Sequence, residues 1–300
     1  MAQSELSRLI PANAPVIAGM RRVSQEQAKE VLWLATKFNE DDLNQLIAAT
    51  DADSDRHLEE VIVADWASDS DALGSHLLVA KGQFNLMRVS GAALHSGATG
   101  LSYNGVPVLA LKSTNAAMPG NRWLAIPRAD LALFGTPSAV QYAIDHYRSR
   151  APVDPALAER LKNAFSQDAA WSSVRLHPGV KESRVNLRTD GELALSCVAG
   201  IHQLDLGIQL GKKVKIDLNV GSGAFDVVPV KCLSGAFFSD GRAKMHVTVY
   251  GDDTSHLRVS LSHGEYDRWL DTFRRSRVNQ MLEAMISEPP DGERARPNTN

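Results

Sequence analysis

The chain has 300 residues, of which 44% are hydrophobic and 22% are charged, and its formal net charge at pH 7 is -3. This composition is typical of a globular chain that buries a real core. The weak net charge disfavours nucleic-acid binding, which usually requires a clearly basic surface.

The start of the chain indicates neither export nor a membrane anchor. Residues 1–8 hold no basic segment followed by an apolar one, so no secretory signal is predicted. No apolar run approaches the ~18 residues that a membrane helix needs. The sequence as written therefore predicts a cytoplasmic protein without a transmembrane segment, or a mature form whose signal has been removed.

The first predicted elements are a strand at residues 14–20 and a helix that Ser24 and Gln27 open with a capping box. The clearest structural signals follow at residues 76–148. A strand at 76–80 leads into a second helix. In this helical segment, Phe84, Met87, Gly91 and Leu94 recur at helix spacing.

A hairpin and a further helix complete the segment at residues 76–148. Asn104-Gly105 between extended flanks predicts a type I′ turn, because both central residues of that turn need a positive φ. Strands are predicted at 123–126 and 130–134. Thr136 and Pro137 then open a helix as N-cap and first helical residue. Its apolar stripe consists of Val140, Ala143, Ile144 and Tyr147.

The proline-rich segment at 151–155 is the predicted domain boundary. After it, the sequence predicts a helix through Leu157, Leu161 and Phe165, a strand at 170–176 and a helix at about 190–209.

Residues 213–220 alternate strictly, so the even positions are predicted to face a core and the odd positions to face outward. Two more alternating strands, at 245–250 and 256–261, predict an antiparallel meander with one buried face. Its outward face holds the candidate ligand- or partner-binding residues His246, Tyr250, His256 and Arg258.

A second capping box, Ser262 with Glu265, predicts a long helix. The proline-, glycine- and charge-rich tail at 287–300 is predicted to be disordered.

No metal or cofactor site is predicted. Asp51, Asp53 and Asp55 have the spacing of calcium-loop ligands, but the loop lacks the turn glycine and the closing glutamate, which favours a solvated turn. Cys197 and Cys232 lack metal-ligand spacing. Two buried free thiols are the preferred interpretation, and a single disulfide stays open as the alternative. Phosphate-loop, dinucleotide, nucleophile-elbow and zinc-helix signatures are absent from the sequence.

The weak catalytic candidates are His95 and Tyr103, which flank the small-residue loop at 96–100. They are the acid-base pair to test, although His95 also suits a helix end, where the dipole favours a cation. The loop glycines are more simply a helix C-cap than an anion site.

These elements predict an α+β protein with two lobes, each a mostly antiparallel sheet covered by helices. The lobes would span residues 1–150 and 151–286. Both share a rough plan of strand, helix, strands and closing helix, so a diverged structural duplication is an alternative interpretation.

The first half also resembles a family of uncharacterised proteins of about this length that recurs in Acidobacteria genomes. The resemblance covers roughly residues 9–175, and it rests on the following motifs: LIPANAPVIAG at 9–19, LEEVIVA at 58–64, LVAKGQF at 78–84, YNGV at 103–106, LFGTPSAV at 133–140 and AID at 143–145. Such proteins commonly begin with an export signal, so the resemblance implies the cell envelope. It implies no activity and no site residue.

The leading functional hypothesis is a non-catalytic module that binds an unidentified protein or small molecule through a sheet face or a groove between lobes. One alternative is a hydrolase of unrecognised family that uses His95 and Tyr103. The other is a structural envelope protein. The sequence leans against an enzyme and predicts neither the oligomeric state nor the compartment.

Overall fold

A computed structural model of the protein describes residues 5–21, 58–68, 71–95, 97–112, 121–163, 168–176, 201–222, 244–250 and 254–274. The predicted helix after Ser24, the aspartates at 51–55, both cysteines and the tail lie outside these residues. The described elements begin with the short 3-10 helix Glu5–Leu9. The strands are β1 (Val16–Arg21), β2 (Leu58–Ser68), β3 (Asp71–Gly82), β4 (Thr99–Tyr103), β5 (Val106–Lys112), β6 (Asn121–Arg128), β7 (Leu131–Gly135), β8 (Ala170–Arg175), β9 (Ile201–Gln209), β10 (Val214–Ser222), β11 (Lys244–Tyr250) and β12 (Thr254–Leu261). The helices are α1 (Leu86–His95), α2 (Pro137–Ser149), α3 (Pro155–Asn163) and α4 (His263–Arg274).

The prediction of two lobes with separate sheets is wrong. The described strands form a 12-stranded sheet in the order β11-β12-β10-β9-β8-β1-β2-β3-β7-β6-β5-β4. The sequence predicted a helix at about 190–209, but residues 201–209 form strand β9, which lies between β10 and β8 in this sheet. Leu204, Leu206 and Ile208 alternate along β9 and are buried. Period-two spacing is the strand signature, and the glycine at 207 further disfavours a helix.

By compactness, the chain divides into two units whose limits fall within β8 and β9. The first unit runs to Ser173 and includes Asp205–Gly211, and the second comprises Val174–Leu204 and the chain from Lys212 onward. The proline-rich segment at 151–155 and helix α3 belong to the first unit.

The core of the first unit joins its sheet to the helices. Strands β1, β2, β3 and β7 pair antiparallel in this order, with Val16 opposite Asp65 and Leu77 opposite Gly135. Alternate residues of each strand therefore face the same side. This side packs against α2, α3 and the 3-10 helix, and its buried side chains include Leu6, Leu9, Ile62, Leu77, Val79, Leu133, Val140, Ile144, Leu157 and Leu161.

The predicted hairpin and the start of α2 are confirmed. Asn104 and Gly105 have φ values of 47° and 75°, and the turn joins β4 to β5 with Tyr103 opposite Val106. Thr136 is the N-cap of α2 and is followed by Pro137. The Thr136 hydroxyl accepts a hydrogen bond from the His76 backbone N–H at 3.3 Å instead of capping the helix.

Helix α1 forms within the predicted helical segment, but the apolar residues that recur at helix spacing do not form its buried face. Met87 and Leu94 are 87% and 50% exposed, whereas Val89 and Ala93 are buried. Both pairs fit helical spacing, so spacing alone does not decide which face meets the core. The helix ends in a Schellman motif, in which the Gly97 N–H donates to the carbonyl of Leu94 and the Ala98 N–H to that of Ala93.

The second unit contains the antiparallel strands β10, β12 and β11. Leu218 lies opposite Leu257, and Val247 lies opposite the same Leu257 from the other side. The predicted alternation is confirmed for β12 and for the even positions of β10. The buried side chains of these two strands include Val214, Ile216, Leu218, Val220, Leu257, Val259 and Leu261.

The predicted capping box at the start of α4 is also confirmed. The Ser262 backbone N–H and hydroxyl both donate to Glu265 Oε2 at 2.7 Å. In return, the Glu265 N–H donates to the Ser262 hydroxyl at 3.4 Å. The helix then buries Tyr266, Trp269 and Leu270. The box sets the start of α4 at the residue where its apolar face begins.

The capping box predicts a pH-dependent contribution to stability. The hydrogen bonds from Ser262 lower the pKa of Glu265. A carboxyl group with a lowered pKa in the folded state stabilises that state above its unfolded pKa of about 4.3, and this contribution is lost as the pH falls through the folded value. Glu265→Gln should therefore have a lower Tm than the wild type at pH 7, with the difference shrinking in acid.

Thermal unfolding of both proteins from pH 7 to pH 3 measures this difference. Asp267→Asn is the matched control, since it neutralises a carboxylate of the same helix outside the capping box. A Tm difference for Glu265→Gln that is constant over the whole range would contradict the prediction.

Candidate binding face

The candidate site begins with one residue that breaks the alternation of β10. The odd positions of β10 are predicted to face outward, and Lys215 is indeed exposed. Asp217, two residues later, has 0% exposure. A buried carboxylate requires partners, because removing an unpaired charge from water is very unfavourable.

Two cationic or potentially cationic side chains of β12 reach the same carboxylate oxygen. Asp217 Oδ1 accepts a hydrogen bond from Arg258 Nε at 2.6 Å and lies 2.9 Å from His256 Nε2. The Arg258 side chain remains 54% exposed, whereas that of His256 is 12% exposed. The buried carboxylate of Asp217 therefore anchors the exposed side chain of Arg258.

Sheet register explains why these side chains meet. Asp217 lies directly opposite Arg258 in the β10–β12 ladder. His256 is two residues from Arg258 on β12 and faces the same side, within diagonal reach of Asp217. The meander prediction placed β12 beside β11 but did not foresee β10 on its other side, so Asp217 was missed. The one indication in the sequence was that Asp217 is an acidic residue at an outward position, following lysines at the two outward positions before it.

The predicted binding residues of β11 belong to the same ladders. His246 lies opposite Arg258, while Tyr250 lies opposite Thr254 at the end of the ladder. The structure thus brings His256 and Arg258 together on Asp217 and places His246 at the adjoining register position. Tyr250 is the last residue of β11.

The balance of charge at these register positions is basic. Ser260 of β12 lies between Lys215 of β10 and Lys244 of β11. The next row contains Asp217, Arg258 and His246. Asp217 offsets one of the three positive charges of Lys215, Lys244 and Arg258, so the formal charge at these positions stays positive. The face is therefore suited to an anionic group.

The predicted pair His95 and Tyr103 occupies different settings in the first unit. His95 is exposed at the last residue of α1. The Tyr103 hydroxyl donates to Asp145 Oδ2 of α2 at 3.1 Å, and Asn104 Nδ2 donates to Oδ1 at 2.6 Å. Burial and this hydrogen bond raise the pKa of Tyr103. These contacts hold the hairpin turn against α2.

A second histidine–carboxylate pair lies within the sheet of the first unit. Asp65 and His76 are opposite one another on β2 and β3, and Asp65 Oδ1 contacts His76 Nδ1. Both residues are buried, with 8% and 6% exposure. This pair could not be predicted from the sequence either, because it depends on the register between two strands. A cross-strand pair of this kind fixes register, since a one-residue slip would separate the partners.

Among the described residues, no group of three histidine, cysteine or carboxylate side chains gathers at distances suited to one metal ion. None of the helices in the described part of the chain has the length and apolar character needed to cross a membrane.

Comparisons with known proteins give a fold but no family. No family model matches the chain, and no curated protein matches it either. Among solved structures, the crystal form I structure of TP0453 is similar, with a TM-score of 0.54 and 11% sequence identity. The alignment covers 91% of this chain and 98% of that chain. At this identity the likeness shows a shared fold alone.

Proposed function

We propose that this protein is a non-catalytic module that binds an acidic segment of a protein partner through the outward face of β10, β12 and β11. The observation that carries the proposal is the anchoring of Arg258 by the buried carboxylate of Asp217 at 2.6 Å. Arg258 is still 54% exposed. A positioned and accessible guanidinium is a favourable group for binding carboxylates.

The anchor favours binding because it reduces the ordering that binding requires. A free arginine side chain loses rotamer entropy when a partner immobilises it, at a cost of about 0.5–1.5 kcal/mol. Asp217 has already restricted Arg258 in the folded protein. Lys215 on the neighbouring strand adds an exposed positive charge. Electrostatic attraction of this kind also speeds the encounter with an acidic partner.

The test is a titration of the full chain with poly-L-glutamate at low salt. We expect the wild type to bind and the affinity to fall as salt rises, because the interacting charges are near the surface. Arg258→Met should weaken binding by about tenfold or more, since a hydrogen bond to a charged group contributes about 1.5–3 kcal/mol. Isothermal titration calorimetry measures both effects.

Arg148→Met is the matched control. Arg148 is an exposed arginine of α2 in the first unit, so its replacement changes the net charge equally without touching the proposed face. It should bind poly-L-glutamate within about twofold of the wild type, as expected for a charge outside the contact. Equal losses in the two variants would show a general charge effect, and absence of wild-type binding would refute the acidic-partner proposal.

A further inference from the structure

The exposed apolar side chains of the first unit are concentrated at one edge of the sheet. Among the described residues, the large hydrophobic side chains that are exposed lie in α1 or in β4. They are Leu86 at 36%, Met87 at 87%, Leu94 at 50% and Leu101 at 41%. Such clustering is unlike the scattered single exposures of ordinary surfaces and indicates a contact site.

Strand β4 is also an edge without the usual protection. It is the last strand in the sheet order, and none of the described strands pairs with its outer side. Its five residues, Thr99–Tyr103, include no charged residue and no proline. Natural sheets normally guard an exposed edge with lysine, proline or a bulge, because an open edge attracts another strand.

The register of the hairpin identifies which backbone groups of β4 face outward. Tyr103 and Val106 close a two-residue turn and so form a hydrogen-bonded pair. Pairs alternate along an antiparallel ladder, which makes Ser102–Pro107 a non-hydrogen-bonded pair. Pro107 agrees with this assignment, since it has no N–H to donate. The N–H and C=O groups of Ser102, and by the same alternation those of Gly100, therefore point away from β5.

We propose that β4 pairs antiparallel with β4 of a second copy of this chain, about a two-fold axis at Leu101. In this register, Gly100 of one copy lies opposite Ser102 of the other, and each such pair exchanges both of its N–H···O bonds. Every outward backbone group at these two positions then has a partner. An isologous contact needs a surface that is complementary to itself, and this uncharged strand provides one.

The apolar side chains fit the same arrangement. Leu101 of one copy lies directly opposite Leu101 of the other as a non-hydrogen-bonded pair, in which side chains approach most closely. On the other side of the sheet, Leu94 of α1 packs over Gly100, with its Cδ2 atom 4.0 Å from the position of an added Cβ. Exposed apolar groups therefore flank the edge on both faces, where an added strand would cover them.

Sedimentation equilibrium across a wide range of protein concentration tests the proposal on the full chain. The wild type should associate reversibly to a dimer. Leu101→Lys places like charges opposite each other at the axis and should raise the dimer dissociation constant by about tenfold or more. Ala156→Lys adds a lysine at an exposed apolar residue of α3, outside the cluster at α1 and β4, and it should leave the dissociation constant nearly unchanged.

A second pair of variants tests the backbone contact itself. Ser102→Pro removes an outward N–H but keeps the β4–β5 ladder, because proline is tolerated where the N–H faces solvent. It should weaken the dimer, whereas Ser102→Ala should not. A wild type that stays monomeric at all concentrations overturns the proposal. So does equal association of Ser102→Pro and Ser102→Ala, or a dimer that is lost in Ala156→Lys but kept in Leu101→Lys.

Discussion

Replacing Arg160 with methionine is expected to lower the free energy of unfolding by at least about 3 kcal/mol. Arg160 lies on α3 and is only 4% exposed. Its Nε donates to the hydroxyl of Ser173 at 2.8 Å, and its Nη2 donates to the carbonyls of Ser173 and Pro15 at 2.7 and 2.9 Å. Its Nη1 donates to the carbonyl of Ala14. One guanidinium thus joins α3, the segment before β1 and strand β8.

The expected loss follows from what methionine leaves behind. Its side chain replaces the apolar stem of the arginine but reaches only about as far as Nε and offers no donor, so several buried carbonyl groups lose a hydrogen bond. Each buried polar group that is left unsatisfied costs about 1–3 kcal/mol. The free energy of unfolding of Arg160→Lys should lie between those of the wild type and Arg160→Met, because an ammonium group keeps the charge but does not reproduce the planar fork of donors.

Urea denaturation of the full chain measures the effect, with Lys162→Met as the control on the same helix. The Lys162 side chain is 70% exposed and lies 3.5 Å from Glu159. An exposed pair of this kind contributes about 0–1 kcal/mol, so this variant should unfold close to the wild type. Similar midpoints for Arg160→Met and Lys162→Met would show that the buried network contributes little to stability.

The elements that the sequence predicted correctly are those fixed by neighbouring residues. The turn at Asn104 depends on a backbone conformation that asparagine and glycine tolerate, and the start of α2 depends on Pro137 at its first position. Ser262 and Glu265 satisfy each other's backbone within one helical turn. Each of these interactions spans a few residues, so the local sequence is sufficient to predict it.

The single sheet could not be predicted in the same way, because its strand order depends on pairing between distant segments. Strand β12 pairs with β10 as well as with β11, and β8 and β9 occupy the positions between β1 and β10. The alternation within a strand fixes which side chains share a face but not which strand lies beside it. Both buried histidine–carboxylate contacts, at Asp65 and at Asp217, depend on this non-local register.

Buried charged residues form the second group that sequence reasoning missed. Arg160 lies three residues after Leu157 and therefore on the same helical face as the buried apolar residues of α3. Asp217 alternates with buried β10 residues and would ordinarily be assigned to solvent. Charged residues are mostly exposed, so neither burial was predicted from the sequence. Hydrogen bonds from elsewhere in the fold are what permit their burial.

Gly135→Ala is expected to be comparably damaging, with a loss of about 3 kcal/mol or more. Gly135 ends β7, where it lies opposite both Leu77 of β3 and Trp123 of β6. A Cβ added there would be 3.0 Å from the carbonyl carbon of His76 and closer still to its oxygen. That same oxygen accepts the backbone hydrogen bond from Thr136 at 2.9 Å.

The clash is severe because the obstructing atom belongs to the backbone of a central strand. A flexible side chain could rotate away, but the His76 carbonyl is held by its bond to the N-cap of α2. Relief would separate β3 from β7 or displace the start of α2, and both changes would open the core of the first unit. Gly135→Ala should accordingly shift the urea midpoint downward or prevent accumulation of folded protein.

The same substitution at Gly91 separates this steric effect from the general behaviour of glycine. Gly91 lies within α1, and an added Cβ there meets nothing within 4 Å. Alanine is favoured over glycine inside a helix by about 0.5–1 kcal/mol, so Gly91→Ala should be neutral or stabilising. If Gly135→Ala lowers the free energy of unfolding and Gly91→Ala raises it, the destabilisation comes from the contact between Gly135 and His76. Equal stability of Gly135→Ala and the wild type would mean that β7 can move away from β3 at little cost, contrary to the tight packing described for this sheet.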